Sequence, residues 1–403
     1  MSELTTVKSN YSSLPFHQQL ILKRIWAHLF NLWNVPVSGT LYLFDLQGSL
    51  SEQENEDCIG EPLNVGIKHS EFEHLDIDSG VLYSEFWDML RVESPDCHLL
   101  RFAKARNFHI NKTIHMLSKN FKFRHQHQLN KLLNNGEYKI FTERDVNPGV
   151  VVCLEKQKAV LFGQDNQGRP YILVRPKLHY SKDQTQSELE KYALLIIEIS
   201  RLFMKEGSIS ILFDLTDFSL SNMDYTPVKF IISCFEAHYP ESLGSLFIHK
   251  APWLFSPIWN IIKNWLDPVV ASKITFTKNI KELTKYIDLD QLPTYLKGEN
   301  DSINLDKYTP PDGSKDNLLH VKEDDGDDYD YKKKMTVLKK RDQLLKKFQD
   351  LTIQWIQTKD EFESQKLWQL KCEIGEELCQ NYVQLDPYIR SRSSYDIIGT
   401  LKM

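Results

Sequence analysis

AVLFGQDNQGRPYILVR, residues 159–175, joins two short apolar runs through a stretch rich in Asp, Asn and Gly. Those residues supply turn geometry, and Pro170 is tolerated only at the start or edge of a strand, so the stretch predicts a β-hairpin. Working outward, a helix is expected over about 187–205, with Leu194, Leu195, Ile196, Ile197, Ile199, Leu202 and Phe203 forming a face wide enough to be covered on more than one side. A strand SILFDL (210–215), a helix over about 226–238, a strand LFIH (246–249) and a short strand KITF (273–276) follow. Strands alternating with helices of this length predict an α/β fold with a mixed, mostly parallel sheet flanked by helices. The turn GQDNQG nearly spells a phosphate-binding loop. Arg169 and Pro170 stand where that motif needs a lysine, a hydroxyl and the start of a helix, so it is a turn.

Residues 16–34 show an amphipathic helical pattern, and residues 81–135 return to it with Phe86, Leu90, Leu99, Leu100, Phe102, Ile114, Leu117 and Phe121. Between them, residues 38–80 read as a mobile acidic insertion. After TPPDGS and the charge run EDDGDDYD (323–330), two helical patterns occupy 335–385 and suggest a hairpin packed on itself or on the main domain. The expected divisions are an N-terminal helix (1–37), the insertion (38–80), a helical domain (81–140), the sheet-bearing domain (141–310), an acidic linker (311–334) and a helical hairpin with tail (335–403). No internal repeat is found.

The chain has 403 residues and a net charge of −6, with no overall basic field of the kind that drives nonspecific nucleic-acid binding. Six cysteines without C-x-x-C pairing favour thiols in a reducing compartment. The polar N-terminus lacks a secretory pattern, and the most apolar helical run, 192–199, is interrupted by Glu198, so membrane contact is expected to be peripheral. No G-x-S-x-G or G-x-G-x-x-G signature occurs. His69 and His74 are spaced off a common helix face, and Cys372 and Cys379 lack further ligands nearby, so no metal site is expected. A large apolar interior without a catalytic set favours a carrier over an enzyme.

The segment APWLFSPIWNIIKNWLDPVVASKITF (251–276) carries three tryptophans and leaves only Asn260, Lys263 and Asn264 as a polar strip at helical spacing. Two readings stay open: a core helix covered on two sides, or a helix whose partner is lipid, since Trp beside Lys and Asn suits a headgroup region.

HLLRFAKARNFHINKTIHML (98–117), DNQGRPYILVR (165–175), ILFDLTDFS (211–219), HYPESLGSLFIHKAPWLF (238–255) and LDPVVASKI (266–274) occur in this order. Together they resemble the CRAL-TRIO lipid-binding domain family, and within it the fungal phosphatidylinositol-transfer proteins, over roughly residues 81–300. The resemblance implies a bowl-shaped, nonenzymatic domain that encloses one phospholipid without a cofactor. A gate helix bearing Trp253, Phe255, Trp259, Ile262, Trp265 and Leu266 would close it. The inositol-phosphate contacts of the family match Arg106, Glu241 and Lys273, a cation–carboxylate set suited to a phosphodiester and hydroxyls. Two departures stand out: Val270 replaces a threonine, and Ile209 and Ile211 occupy the two hydroxyl positions of the family's phosphatidylcholine site, which implies little choline-lipid transfer. The resemblance further implies a phospholipid ligand, transient contact with a membrane surface, and a cytoplasmic protein peripheral to endoplasmic-reticulum or endosomal membranes. The hairpin is a candidate site for a protein partner, and no nucleic acid is expected. Alternatives are a carrier of a headgroup-free isoprenoid or sterol-like ligand, a lipid hydrolase built on His249 and Cys234, and a scaffold in which the hairpin recruits a partner.

Overall fold

The computed structural model describes residues 14–39, 43, 75–204, 207–320 and 329–401. Most of the insertion expected at 38–80, with His69 and His74, and most of the charge run at 323–330 lie outside the described residues. In chain order the first helices are α1 (Phe16–Leu32), α2 (Ser79–Leu90), α3 (Pro95–Ala105), α4 (Ile110–Gln126), α5 (Leu129–Thr142) and α6 (Pro148–Glu155). Then come β1 (Ala159–Gln164), β2 (Pro170–Val174), α7 (Gln186–Met204), β3 (Ile209–Asp214), α8 (Tyr225–Ser233), β4 (Leu243–His249), α9 (Phe255–Ile262), α10 (Pro268–Ser272), β5 (Ile274–Thr277) and α11 (Ile280–Leu283). The chain closes with α12 (Tyr329–Gln357), α13 (Glu361–Ile389) and α14 (Ser394–Ile397). It divides into a helical unit (residues up to 126, with 323–386) and a sheet unit (127–322, with 387–403).

In the helical unit, Ser94 caps α3 through the Cys97 amide with Pro95 in the first turn, and Asp78 caps α2 through the amides of Gly80 and Val81. The core is aromatic. Trp26 of α1 lies 5.9 Å from Phe86 and 6.3 Å from Trp87 of α2, and 5.6 Å from Phe348 of α12, ring centre to ring centre. Trp355 and Trp368, both fully buried, pack with tilted rings 5.3 Å apart where the two hairpin helices meet. Beside them Lys371 of α13, also fully buried, places its ammonium 3.0 Å from Asp96 and 4.0 Å from the centre of the Trp355 ring. The hairpin therefore completes the core that α1–α3 begin.

In the sheet unit the strand order is β1-β2-β3-β4-β5, with β1 antiparallel to β2 and all other pairs parallel. The β1–β2 turn is locked by Asp165, whose carboxylate accepts the amides of Gln167 and Arg169, while Gly168 takes φ +74°. Burial alone would raise the Asp165 carboxyl, but bonds from Arg169, Ser210 and these amides hold it below the ordinary range. One element was not read from the sequence and another departs from expectation. PGVVVCLE forms α6, although its run of valines carries no helical period; Pro148 opens it in the first turn. The helix expected over 226–238 ends at Ser233 and continues as a π-helical turn, Cys234–His238.

The tail returns to the sheet unit. The guanidinium of Arg390 forks onto Asp396 at 2.8 and 2.9 Å, Ser394 donates through amide and hydroxyl to Glu137 of α5, and the Tyr395 hydroxyl accepts the Leu161 amide of β1 at 3.1 Å. That last bond covers a backbone donor on the edge strand of the sheet.

Candidate functional site: an apolar sheet face under a tryptophan-rich segment

Register places Ile172, Ile211, Leu246 and Ile274 in one row across β2–β5, and Val174, Phe213, Ile248 and Phe276 in the next. Directly paired residues point to the same side, so one face of the sheet is continuously aliphatic and aromatic. Phe255, Ile258 and Ile262 of α9 are buried against this face with Leu215, Phe218 and Ile248, and Tyr225, Val228 and Ile232 of α8 join them only half-covered. Neither α8 nor α10 buries a single side chain, although both are largely apolar. Helix α8 is half-covered beside the apolar face and all of α10 but Val270 is exposed, which is unusual for apolar helices of a packed core.

The segment is tied together at its base. Where β4 ends, the His249 imidazole Nδ1 lies 2.9 Å from the Thr277 hydroxyl, and the Lys250 amide donates to the Thr277 carbonyl at 2.8 Å. Entry and exit of residues 251–276 are thus stapled together, and Lys250 makes the entry in the left-handed region at φ +52°. His249 is fully buried, and burial pushes its imidazole below the ordinary pKa. Beside the staple a cleft of about 290 Å³ is lined by Ile248, Trp253, Phe255, Trp259 and Phe276, with Ser256, Asn260 and Lys278 supplying polar groups.

The three tryptophans of the segment differ. Trp253 is 86% exposed, whereas Trp259 packs edge-on to Phe276 at 5.1 Å and Trp265 to Tyr225 at 5.6 Å, with the Lys229 ammonium 4.5 Å over its ring. Leu266 is half-buried. Ile261, Val269 and Phe276 complete the exposed apolar surface, a set that the sequence stripes did not separate from the buried one. About two turns of α9 with the short α10 set this division, because the 3-10 turn at Lys263–Trp265 breaks the helical period.

Of the headgroup candidates, Lys273 ends α10 and donates its ammonium to the Leu243 carbonyl at 2.8 Å, at the first residue of β4. Glu241 precedes that strand in a tight turn at φ +55°. Ile209 also meets this end: it pairs with Leu243, and its amide donates to the Ser242 carbonyl. Lys273, Glu241 and Ile209 therefore converge on the start of β4. Ile211 lies one row further along, 3% exposed, against Leu246. Arg106 belongs to the helical unit, at the end of α3, where it donates to the Ala105 carbonyl. Val270 is half-buried in α10. Of the hydrolase candidates, Cys234 is fully buried and its thiol is pushed up to about 12 by burial, while His249 is engaged with Thr277.

Among the described residues no helix is long and apolar enough to cross a membrane, and no group of three or more His, Cys, Asp or Glu residues could hold a metal ion. Residues 154–298 match the CRAL/TRIO domain and residues 45–119 the CRAL/TRIO N-terminal domain. The phosphatidylinositol transfer protein CSR1 of Eremothecium gossypii is 41% identical over 99% of both chains. A CRAL-TRIO domain-containing protein of Schizosaccharomyces pombe, C3H8.02, is 35% identical over 78% of this chain and 68% of its own. The crystal structure of Sfh5 shares 15% identity at a TM-score of 0.46, covering 75% of this chain and 93% of that one. With both domain models matched in order and a fungal relative aligned end to end, the chain belongs to the CRAL/TRIO family.

Proposed function

We propose that this protein binds one phosphatidylinositol molecule against the apolar sheet face and transfers or presents it between membranes, without catalysing a reaction on it. The observation that carries the reading is the segment 251–276, tied at its base and exposing Trp253 and Ile261, beside two continuous apolar rows of the sheet, because acyl chains need such a wall and a membrane-facing door needs exposed apolar side chains. The family brings lipid binding, and a relative named for phosphatidylinositol transfer aligns over the whole chain. Lys273 and Glu241 beside the start of β4 would supply a cation for phosphate and a carboxylate for inositol hydroxyls. Ile209 and Ile211, both buried and without a hydroxyl to offer, support poor phosphatidylcholine transfer. Action at cytosolic faces of internal membranes is part of the same proposal.

A second reading keeps the wall and changes the cargo. The same isoleucines and Val270 make the lining compatible with a headgroup-free hydrocarbon. Native mass spectrometry of the purified protein, with lipid extraction, separates the two: phosphatidylinositol released in stoichiometric amount supports the first, and a neutral isoprenoid or sterol-like ligand in its place overturns it.

A further inference from the structure

Helix α12 carries eight basic and three acidic side chains in a chain whose net charge is −6. Its buried positions, among them Val337, Leu344, Phe348 and Trp355, hold one side. The lysine pairs 332–333, 339–340 and 346–347 recur every seven residues, so each pair returns to within about 20° of the last around the helix. All six are exposed, and they trace a straight ridge about 20 Å long. Tyr329, 74% exposed, and Met335, 45% exposed, stand near its N-terminal end. Opposing charge on the helix lies at Asp330 before the first pair, at exposed Asp342 between the second and third and at Asp350 past the last, leaving five more basic than acidic side chains. The sequence just before the helix, 323–328, is acidic, and Glu377 of α13 meets Lys340 at 3.1 Å in a pair exposed on both sides, a geometry that holds little energy.

We propose that this ridge docks the helical unit on anionic bilayer surfaces, as a charge-reading contact separate from the apolar segment of the sheet unit. A straight row of lysines fits a plane of headgroups, and clusters of four to eight basic residues on a helix are attracted to acidic leaflets. The flanking Tyr329 and Met335 suit the interfacial layer. A nucleic-acid partner is disfavoured, since the ridge has no arginine for bidentate reading and the chain as a whole has no basic field. The contact does not depend on which lipid fills the interior.

The test uses the full chain and sedimentation with two kinds of vesicle, phosphatidylcholine alone and phosphatidylcholine with about a third phosphatidylserine, a lipid the ridge would read by charge. Each lysine near the surface is worth about fivefold in partitioning, so Lys339→Gln, Lys340→Gln, Lys346→Gln and Lys347→Gln together should lower binding to the anionic vesicles about 100-fold, allowing for the partner of Lys340. Binding to neutral vesicles and the melting temperature should not change, and arginine at the same four positions should restore anionic binding. Retention of anionic binding within about threefold, an equal loss on both vesicle types, or failure of the arginine variant would overturn the proposal. So would a wild type that prefers an oligonucleotide to the acidic vesicle. Trp253→Ala distinguishes the gate reading, because its loss should appear on both vesicle types.

Discussion

Lys273 has a structural contact besides the headgroup role proposed for it, and two readouts tell them apart. Its ammonium holds the Leu243 carbonyl at 2.8 Å, so Lys273→Ala should cost about 1 kcal/mol of stability. It should also lower phosphatidylinositol transfer about tenfold or more, since a charge-assisted contact shielded from water is worth ~1.5–3 kcal/mol. Normal inositol-lipid transfer by the folded variant would remove Lys273 from the headgroup site. The isoleucines invite the opposite change, but Ile209 and Ile211 are 0% and 3% exposed, so making both polar risks the core. Ile211→Thr alone keeps the branched shape and adds one hydroxyl. Its phosphatidylcholine transfer should rise relative to phosphatidylinositol, and a wild type that already moves both equally would sink the selectivity argument. His249 sets a pH dependence. Its folded pKa lies below the unfolded value of about 6.5, so the unfolded chain binds the extra proton first and stability is lost as pH falls through that value. Thermal melts from pH 7.5 down to 5.5 should show a decline that is shallower in His249→Gln; an identical slope in that variant would assign the loss elsewhere.

At the scale of elements, the segment 251–276 was legible in outline and not in detail. Its apolar composition left open a core helix covered on two sides or a lipid partner, and it runs from just past the end of β4 into β5. Which tryptophan faces outward was not legible, because the period breaks at the 3-10 turn and Phe276, on the following strand, takes Trp259 as its neighbour. Trp253→Ala should therefore weaken vesicle binding with little change in melting temperature, whereas Trp259→Ala and Trp265→Ala should lower the melting temperature as well, since each removes a ring–ring contact worth ~0.5–1.5 kcal/mol besides its buried area. Far-ultraviolet dichroism melts beside vesicle sedimentation check this split, and a Trp253 variant that binds vesicles like wild type would make the segment a wall without a door. The β1–β2 turn was readable for a different reason: Asp165, Gly168 and Pro170 act within a few residues of one another, where local chemistry decides. Helix α6 was not, since three successive valines look the same in a buried strand and a short buried helix.

For the whole molecule, the same distinction between local and distant contacts governs what the sequence could reveal. Both hairpin helices were legible from their stripes, but nothing in the stripe of α12 names Trp26 and Phe86, more than 250 residues earlier, as the aromatic cluster that Phe348 joins. Removing the hairpin to test for a separate partner-binding role would consequently strip a core. Deletion of 329–403 should leave the helical unit unfolded or aggregating, because Phe348, Trp355 and Trp368 alone are fully buried aromatics whose loss costs ~3–5 kcal/mol each. It should also remove the tail contacts of Arg390, Ser394 and Tyr395 in the sheet unit. Lys371→Ala asks the same question with one residue. It leaves Asp96 buried with the Trp26 indole as a remaining donor, and breaking such an ion pair destabilises by about 3–5 kcal/mol. If the hairpin is part of the fold, both variants lose the cooperative thermal transition of the helical unit or shift it down by many degrees. A deletion variant that melts like the full chain and still transfers lipid would instead make residues 329–403 an independent appendage, and a partner would then be sought on it directly.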